Sequence, residues 1–339
     1  MWRLQNHTPF AAERTWVRDR NGAEAWVVAV KGTFAIRPDG TTELAEKQME
    51  VCRVPQFLGE PGKSSLLYES DLVHTKPTTD ILLHGHAYAP LHKPITQVDV
   101  TLKVGKMTKA LRVIGDRFWE SGILDMTLTA PRPFEKMPII YERAFGGADQ
   151  KSDHPEKQGW ERRNPLGRGF VMEAKHLEGQ RAPNIEDPND LISSWKHRPW
   201  PAGFGPIARD WSPRVELAGT YDERWEKERF PLLPEDFKDH YYLCAPKDQQ
   251  APAYLRGGEP VELHNLTRQG LLRFNLPRIA LGFETRFLSG ETVPHRGVLH
   301  TVILEPDGPR VLMVWHTTLP CHAKVLKLEK TTIRQKAFL

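Results

Sequence analysis

Residues 201–225, PAGFGPIARDWSPRVELAGTYDERW, can be neither a plain helix nor a plain strand. Proline fixes φ and removes a backbone donor, glycine opens positive φ, and this run uses both with no period of 2 or 3.6. Such a chain follows an irregular but defined path, pinned by its aromatic side chains. The run is the densest part of a longer stretch. Residues 131–260 hold 16 of the 28 prolines and five of the ten tryptophans, Trp160, Trp195, Trp200, Trp211 and Trp225. Disordered linkers are poor in aromatics, so an ordered layer is expected here. Residues 191–196, 222–228 and 235–239 predict short helical turns, none long enough to stand alone in water.

On either side of this layer the pattern is β. Residues 25–36, AWVVAVKGTFAI, read as a strand with a bend or bulge at Lys31-Gly32-Thr33. Residues 81–88, ILLHGHAY, read as one apolar strand ended by Pro90. In residues 96–104, Val98, Val100, Leu102 and Val104 alternate with Gln97, Asp99, Thr101 and Lys103, the pattern of a half-buried strand. Residues 109–114 repeat it after Gly105-Lys106, which predicts a hairpin. A further short strand is expected over residues 124–129. Short aliphatic strands return at 261–266, 270–276, 279–287, 298–305 and 310–316, with a strong turn at Glu305-Pro306-Asp307-Gly308. The expected fold is mainly β: antiparallel sheets in a sandwich or barrel-like arrangement, in one or two lobes, with a long irregular centre and few short helices. The divisions are an N-terminal β region (1–130), the Pro/Trp-rich layer (131–260), a C-terminal β region (261–322) and a basic tail (323–339). That tail, with Lys324, Lys327, Lys330, Arg334 and Lys336, reads as a solvated, partly frayed terminus.

Composition bounds the function classes. The longest apolar run, 25–30, is far short of a bilayer span, and the first residues lack the basic and apolar regions of a signal peptide. Three scattered cysteines, Cys52, Cys244 and Cys321, suit a reducing compartment, so a cytoplasmic location is expected. A net charge of +4, from 47 basic and 43 acidic residues, gives no argument for nucleic acid.

Motifs that carry chemistry are weak. Pro61-Gly62-Lys63-Ser64 has the end of a phosphate loop, but Phe57 stands where that loop needs its first glycine. His84 and His86 have a spacing that could present two imidazoles to zinc, against a plainer reading as two histidines on a polar sheet face. There is no GxSxG elbow and no HExxH, and Cys52 sits in an apolar, structural context. No residue is assigned to catalysis, to a cofactor or to a metal. The candidate partner-contact residues are Trp195, Trp200, Phe204, Arg209 and Trp211, because Trp and Arg dominate interface hot spots. The competing reading makes each of them an anchor of the layer itself. An aromatic-rich centre could also line a sugar cleft, as a carbohydrate-binding module or a glycoside-acting enzyme.

A composite of short motifs is more specific than any one of them. It comprises NHTPF at 6–10, VKGTF at 30–34, KPTTDILL at 76–83 and GDRFW at 115–119. YERAFGG at 141–147, NPLG at 164–167, PNIE at 183–186, the 201–225 run and LPEDF at 233–237 complete it. The composite, spanning residue 6 to about 315, resembles a bacterial family of unknown function encoded beside type VI secretion components, notably spike and PAAR-like tip proteins. The resemblance implies a non-enzymatic cytoplasmic adaptor or chaperone. It would hold a secreted effector through a PAAR-like region and help load it onto the spike. It supplies no catalytic residues.

Overall fold

The computed structural model describes residues 2–123 and 125–336. Its architecture is mainly β, in several sheets that do not close into a barrel. The largest sheet runs in the order Ala11–Arg18, Glu24–Ile36, Arg310–Pro320, Val298–Glu305 and Asp80–Leu83, with Thr42–Leu44 also on Glu24–Ile36. All neighbours are antiparallel except Val298–Glu305 with Asp80–Leu83. N-terminal and C-terminal strands therefore interleave in one sheet. Residues 24–36 read as a near-continuous apolar run because both faces of this strand are covered.

The even-numbered residues of that strand define the first face. Trp26, Val28, Val30, Phe34 and Ile36 lie beside Val311, Met313 and Trp315, then Val302 and Leu304, then Ile81 and Leu83. Two further sheets share this core. One is the four-stranded sheet Arg3–Asn6, Leu328–Lys336, Ala280–Phe287, Thr292–Arg296. It contributes Leu281, Phe283, Leu328 and Ile333, and the Trp26 indole N–H donates to Thr331 at 2.9 Å. The other is the five-stranded sheet Ile185–Glu186, Met107–Ile114, Gln97–Val104, Pro260–His264, Leu271–Asn275. Its inner face carries Val98, Val100, Leu102 and Val104, as the alternation predicts.

The second face of the large sheet is polar and equally buried. Lys31, His316, Thr301 and Asp80 lie on it, beside Leu312, Ile303 and Leu82. Irregular chain covers it, and buried carboxylates stitch the cover down. Asp71 pairs with Lys31 at 2.9 Å and accepts the Cys52 N–H at 2.7 Å. Asp80 takes Lys76 at 2.6 Å and the backbone N–H groups of Cys244 and Ala245 at 2.9 and 3.1 Å. Burial pushes the Lys76 amine down, but Asp80 outweighs it and holds the pKa above its ordinary value.

Several local expectations are corrected. No bulge interrupts Lys31-Gly32-Thr33; the strand pairs in continuous register with Arg310–Pro320 through all three, while its pairing with Ala11–Arg18 ends at Lys31. The 81–88 strand is two strands in different sheets, Asp80–Leu83 and His86–Tyr88, because the chain turns at His84-Gly85. The basic tail is no frayed terminus over its described part. Leu328–Lys336 pairs with Arg3–Asn6 and Ala280–Phe287, and Leu328, Thr331 and Ile333 are fully buried. Lys330 stands between the buried positions and Arg334 and Lys336 follow them, and these basic residues mask the apolar ones. Residues 337–339 lie outside the described residues, as does Leu124 at the start of the expected 124–129 strand, of which Met126–Leu128 forms. The 222–228 helix forms as Glu223–Glu228, with Asp222 capping the Trp225 N–H at 2.8 Å. Residues 191–196 form turns only; within 235–239 a turn closes where the Phe237 N–H bonds the Pro234 carbonyl at 3.1 Å, and a single helical turn follows at Asp239–Tyr242.

Candidate functional site

The Pro/Trp-rich layer is fixed to the sheets by side chains that replace a strand ladder. The Phe204 carbonyl accepts the Leu83 N–H at 3.2 Å and the Gln249 amide at 2.9 Å. Gln249, fully buried, also donates to the Ile81 carbonyl at 2.9 Å. The Asn164 amide donates to the Tyr141 and Phe145 carbonyls at 2.8 and 2.9 Å. Asn184 donates to the Ile114 carbonyl at 2.9 Å and accepts from Arg168 at 2.9 Å. Gly146 sits at φ 148°, and a Cβ there would lie 2.1 Å from the Asn164 carbonyl oxygen. The YERAFGG, NPLG and PNIE motifs are thus one hydrogen-bonded unit.

Against this unit opens a cleft of about 640 Å³. Trp200, Pro201 and Ala202 form one wall, with Ile207 and Pro213, and Tyr141 and Leu111 line it as well. Trp200 is 61% exposed, and the Arg163 guanidinium lies 4.8 Å from its ring centre. Arg163 is itself held by Glu161 through two bonds of 2.7 and 2.6 Å. Across the cleft Lys109 donates to Asp248 and to Gln249, both at 2.9 Å. Burial drives the Lys109 pKa below its ordinary value, and Asp248 offsets this only in part. The cleft thus has apolar walls, an exposed indole and two cations, Lys109 and Arg163, already engaged by carboxylates.

The five expected contact residues do not converge. Trp200 is on the cleft. Phe204 and Trp211 are 0% and 4% exposed, inside the core, where Trp211 meets the Tyr141 ring edge-on at 5.6 Å. The contact role expected for these two is corrected, because their rings have no free surface. Arg209 binds Glu69 at 2.9 Å, and Glu69 also takes Arg214 at 2.6 Å. Burial pushes Glu69 up, yet the two guanidinium groups leave its pKa below the usual value. Trp195 is half-buried against a separate small core of Trp119, Val171, Leu177 and Ala182, and donates to Asp125 at 2.8 Å.

Lys109 was missed by sequence reasoning, although a signal for it exists. It stands in phase with Met107, Leu111 and Val113, so a charged residue occupies the apolar side of a strand. His84 and His86 diverge. His84 is buried edge-on against Tyr68, and desolvation pushes its pKa down to about 4, while His86 pairs with Asp307. Pro61-Gly62-Lys63-Ser64 is an exposed turn in which Lys63 reaches Glu60. The three cysteines are buried free thiols, and burial raises the pKa of each. No helix among the described residues is long and apolar enough to cross a membrane.

The fold and cleft define a mainly β protein with an irregular, internally braced layer carrying an aromatic-walled cleft. Residues 21–316 match the model of a bacterial family described as "Uncharacterized protein conserved in bacteria (DUF2169)", and the chain belongs to that family. No curated protein and no solved structure matches the chain.

Proposed function

We propose that this protein is a non-enzymatic cytoplasmic adaptor. In this reading it binds a type VI secretion effector, through a PAAR-like region, and assists its loading onto the spike. The cleft beside Trp200 is the contact surface. The observation that carries the reading is the cleft's make-up. An exposed indole braced by a guanidinium, with apolar walls behind it, is the kind of anchor that dominates protein interfaces. Lys109 and Arg163 are committed to structural pairs with Asp248 and Glu161, which suits recognition better than proton transfer. The partner class is the one implied by the family that the motif composite resembles.

Co-expression with effector and spike-tip proteins encoded beside it, followed by size exclusion at micromolar concentration, tests the proposal. The expected result is a stable, stoichiometric complex that Trp200→Ala weakens at least tenfold. Separate elution from every such neighbour would overturn it. Saturable turnover of a glycoside by the isolated protein would favour the carbohydrate reading instead, since Trp200 could equally stack on a sugar ring.

A further inference from the structure

A second groove, of about 780 Å³, opens where the large sheet meets one end of the four-stranded sheet. Its floor reaches the buried Leu281, Leu299 and Trp315, and half-buried Ile279 adds apolar surface. Leu255 and Val298 extend it. Three cations complete its lining, Arg256, Arg296 and Lys336, and no lining residue is acidic. None of the three forms an ion pair among the described residues. That sets this groove apart from the Trp200 cleft, where Lys109 and Arg163 each hold a carboxylate.

Strand register explains how the cations gather. Ala280 lies opposite Lys336, and Gly282 lies opposite both Arg296 and Arg334. Gly282 has no side chain, and a Cβ there would come within 2.2 Å of Lys336 Cε. The lysine stem therefore lies across the strand in the space the glycine leaves, covering apolar surface with methylenes while its charge stays at the rim. Among the polar side chains lining the groove, the three cations only donate. Tyr254, the remaining one, already donates to the Lys76 carbonyl.

We propose that this groove binds an anionic amphiphile, namely a long-chain carboxylate with its head among Arg256, Arg296 and Lys336 and its chain along Leu255, Ile279 and Val298. An extended peptide fits the lining less well. Its amide N–H groups would meet side chains that only donate, whereas a carboxylate brings acceptors alone. The volume is that of a pocket for a ligand of this size. The inference does not rest on the adaptor reading.

Isothermal titration of the full chain with octanoate, decanoate and dodecanoate, each below its micelle concentration, tests it. Decanol and a hexaglutamate peptide serve as controls. The expected result is saturable 1:1 binding that tightens about fourfold per added methylene, with decanol at least tenfold weaker than decanoate. Arg256→Gln with Arg296→Gln, both exposed, should cost at least tenfold for decanoate at an unchanged melting temperature, while Trp200→Ala should have no effect. Equal affinity for decanol and decanoate would overturn the proposal, as would no saturable binding at any chain length or no change in the double variant. Hexaglutamate binding as tightly as decanoate would overturn it in favour of an acidic protein segment.

Discussion

The two faces of the large sheet are buried to the same degree by different means. On the first, Trp26, Val28, Val30, Phe34 and Ile36 meet the apolar faces of two other sheets, whose backbones are satisfied by their own ladders. On the second, Lys31, Asp80, Thr301 and His316 meet chain that has no ladder. Buried backbone groups must still find partners, and here side chains provide them: Asp71 for Cys52, Asp80 for Cys244 and Ala245, Gln249 for Ile81 and Phe204. An irregular layer can be as well fixed as a sheet, but each carboxylate or amide in it then holds several strands of chain at once. Removing one such group is correspondingly more disruptive than trimming an apolar neighbour.

The sharpest break in the comparison is Asp80→Ala. It strands the Lys76 amine, which is 3% exposed, and frees two buried N–H groups. A loss of about 5 kcal/mol is expected in urea unfolding, enough to leave little folded protein. A loss below about 1 kcal/mol would show that the second face is only loosely covered. Next comes Trp211→Ala, with an expected cost of about 3–4 kcal/mol. That would equal truncation in the sheet core and confirm that this part of the irregular layer is interior.

Acid should act on desolvated imidazoles on both sides of the large sheet: His316 on the second face, His84 beside Tyr68, and His295, which stacks on Phe283 and bonds Thr317. Desolvation depresses His316 to about 3 and His84 and His295 to about 4, against an ordinary value near 6.5. Between roughly 6.5 and those values the unfolded chain takes up protons that the folded chain refuses, so stability falls as pH falls. Each histidine contributes a slope of up to about 1.4 kcal/mol per pH unit. His316→Asn should flatten the slope of unfolding free energy against pH by about one residue's share. Stability that rose on acidification from pH 6.5 to 5 would contradict the assignment. The smallest effect on folding is expected for Trp200→Ala. With the side chain largely in water, the change should be within about 0.5 kcal/mol, measured by the same unfolding curves.

The β framework was legible in the sequence wherever one face meets water. The alternation of Val98 to Val104 with Gln97 to Lys103 translates directly into the inner and outer faces of the five-stranded sheet. Residues 24–36, buried on both sides, could be read as a strand, but not divided into an apolar face and a polar one. The strand at Leu328–Lys336 was hidden by its own lysines and arginine, Lys330 between buried positions and Arg334 and Lys336 after them, which gave the segment the composition of a tail. Of the site, Trp200 was found and Lys109 was not. Phe204 and Trp211 carried the same aromatic signal as Trp200, and nothing local in the sequence separates a ring that faces solvent from one that faces Tyr141. That distinction is set by partners such as Gln249, 45 residues from Phe204, and Asn164, 23 residues from the Tyr141 that Trp211 meets.

The central claim is that irregular chain over the second face is fixed as firmly as the strands beneath it. Native-state hydrogen exchange at the amides of Cys52, Cys244 and Ala245 tests it most directly. The account predicts that they exchange only with global unfolding, at the same free energy as the Val100 and Leu102 amides. Exchange of those three amides at rates typical of surface loops, with the strands still protected, would contradict it.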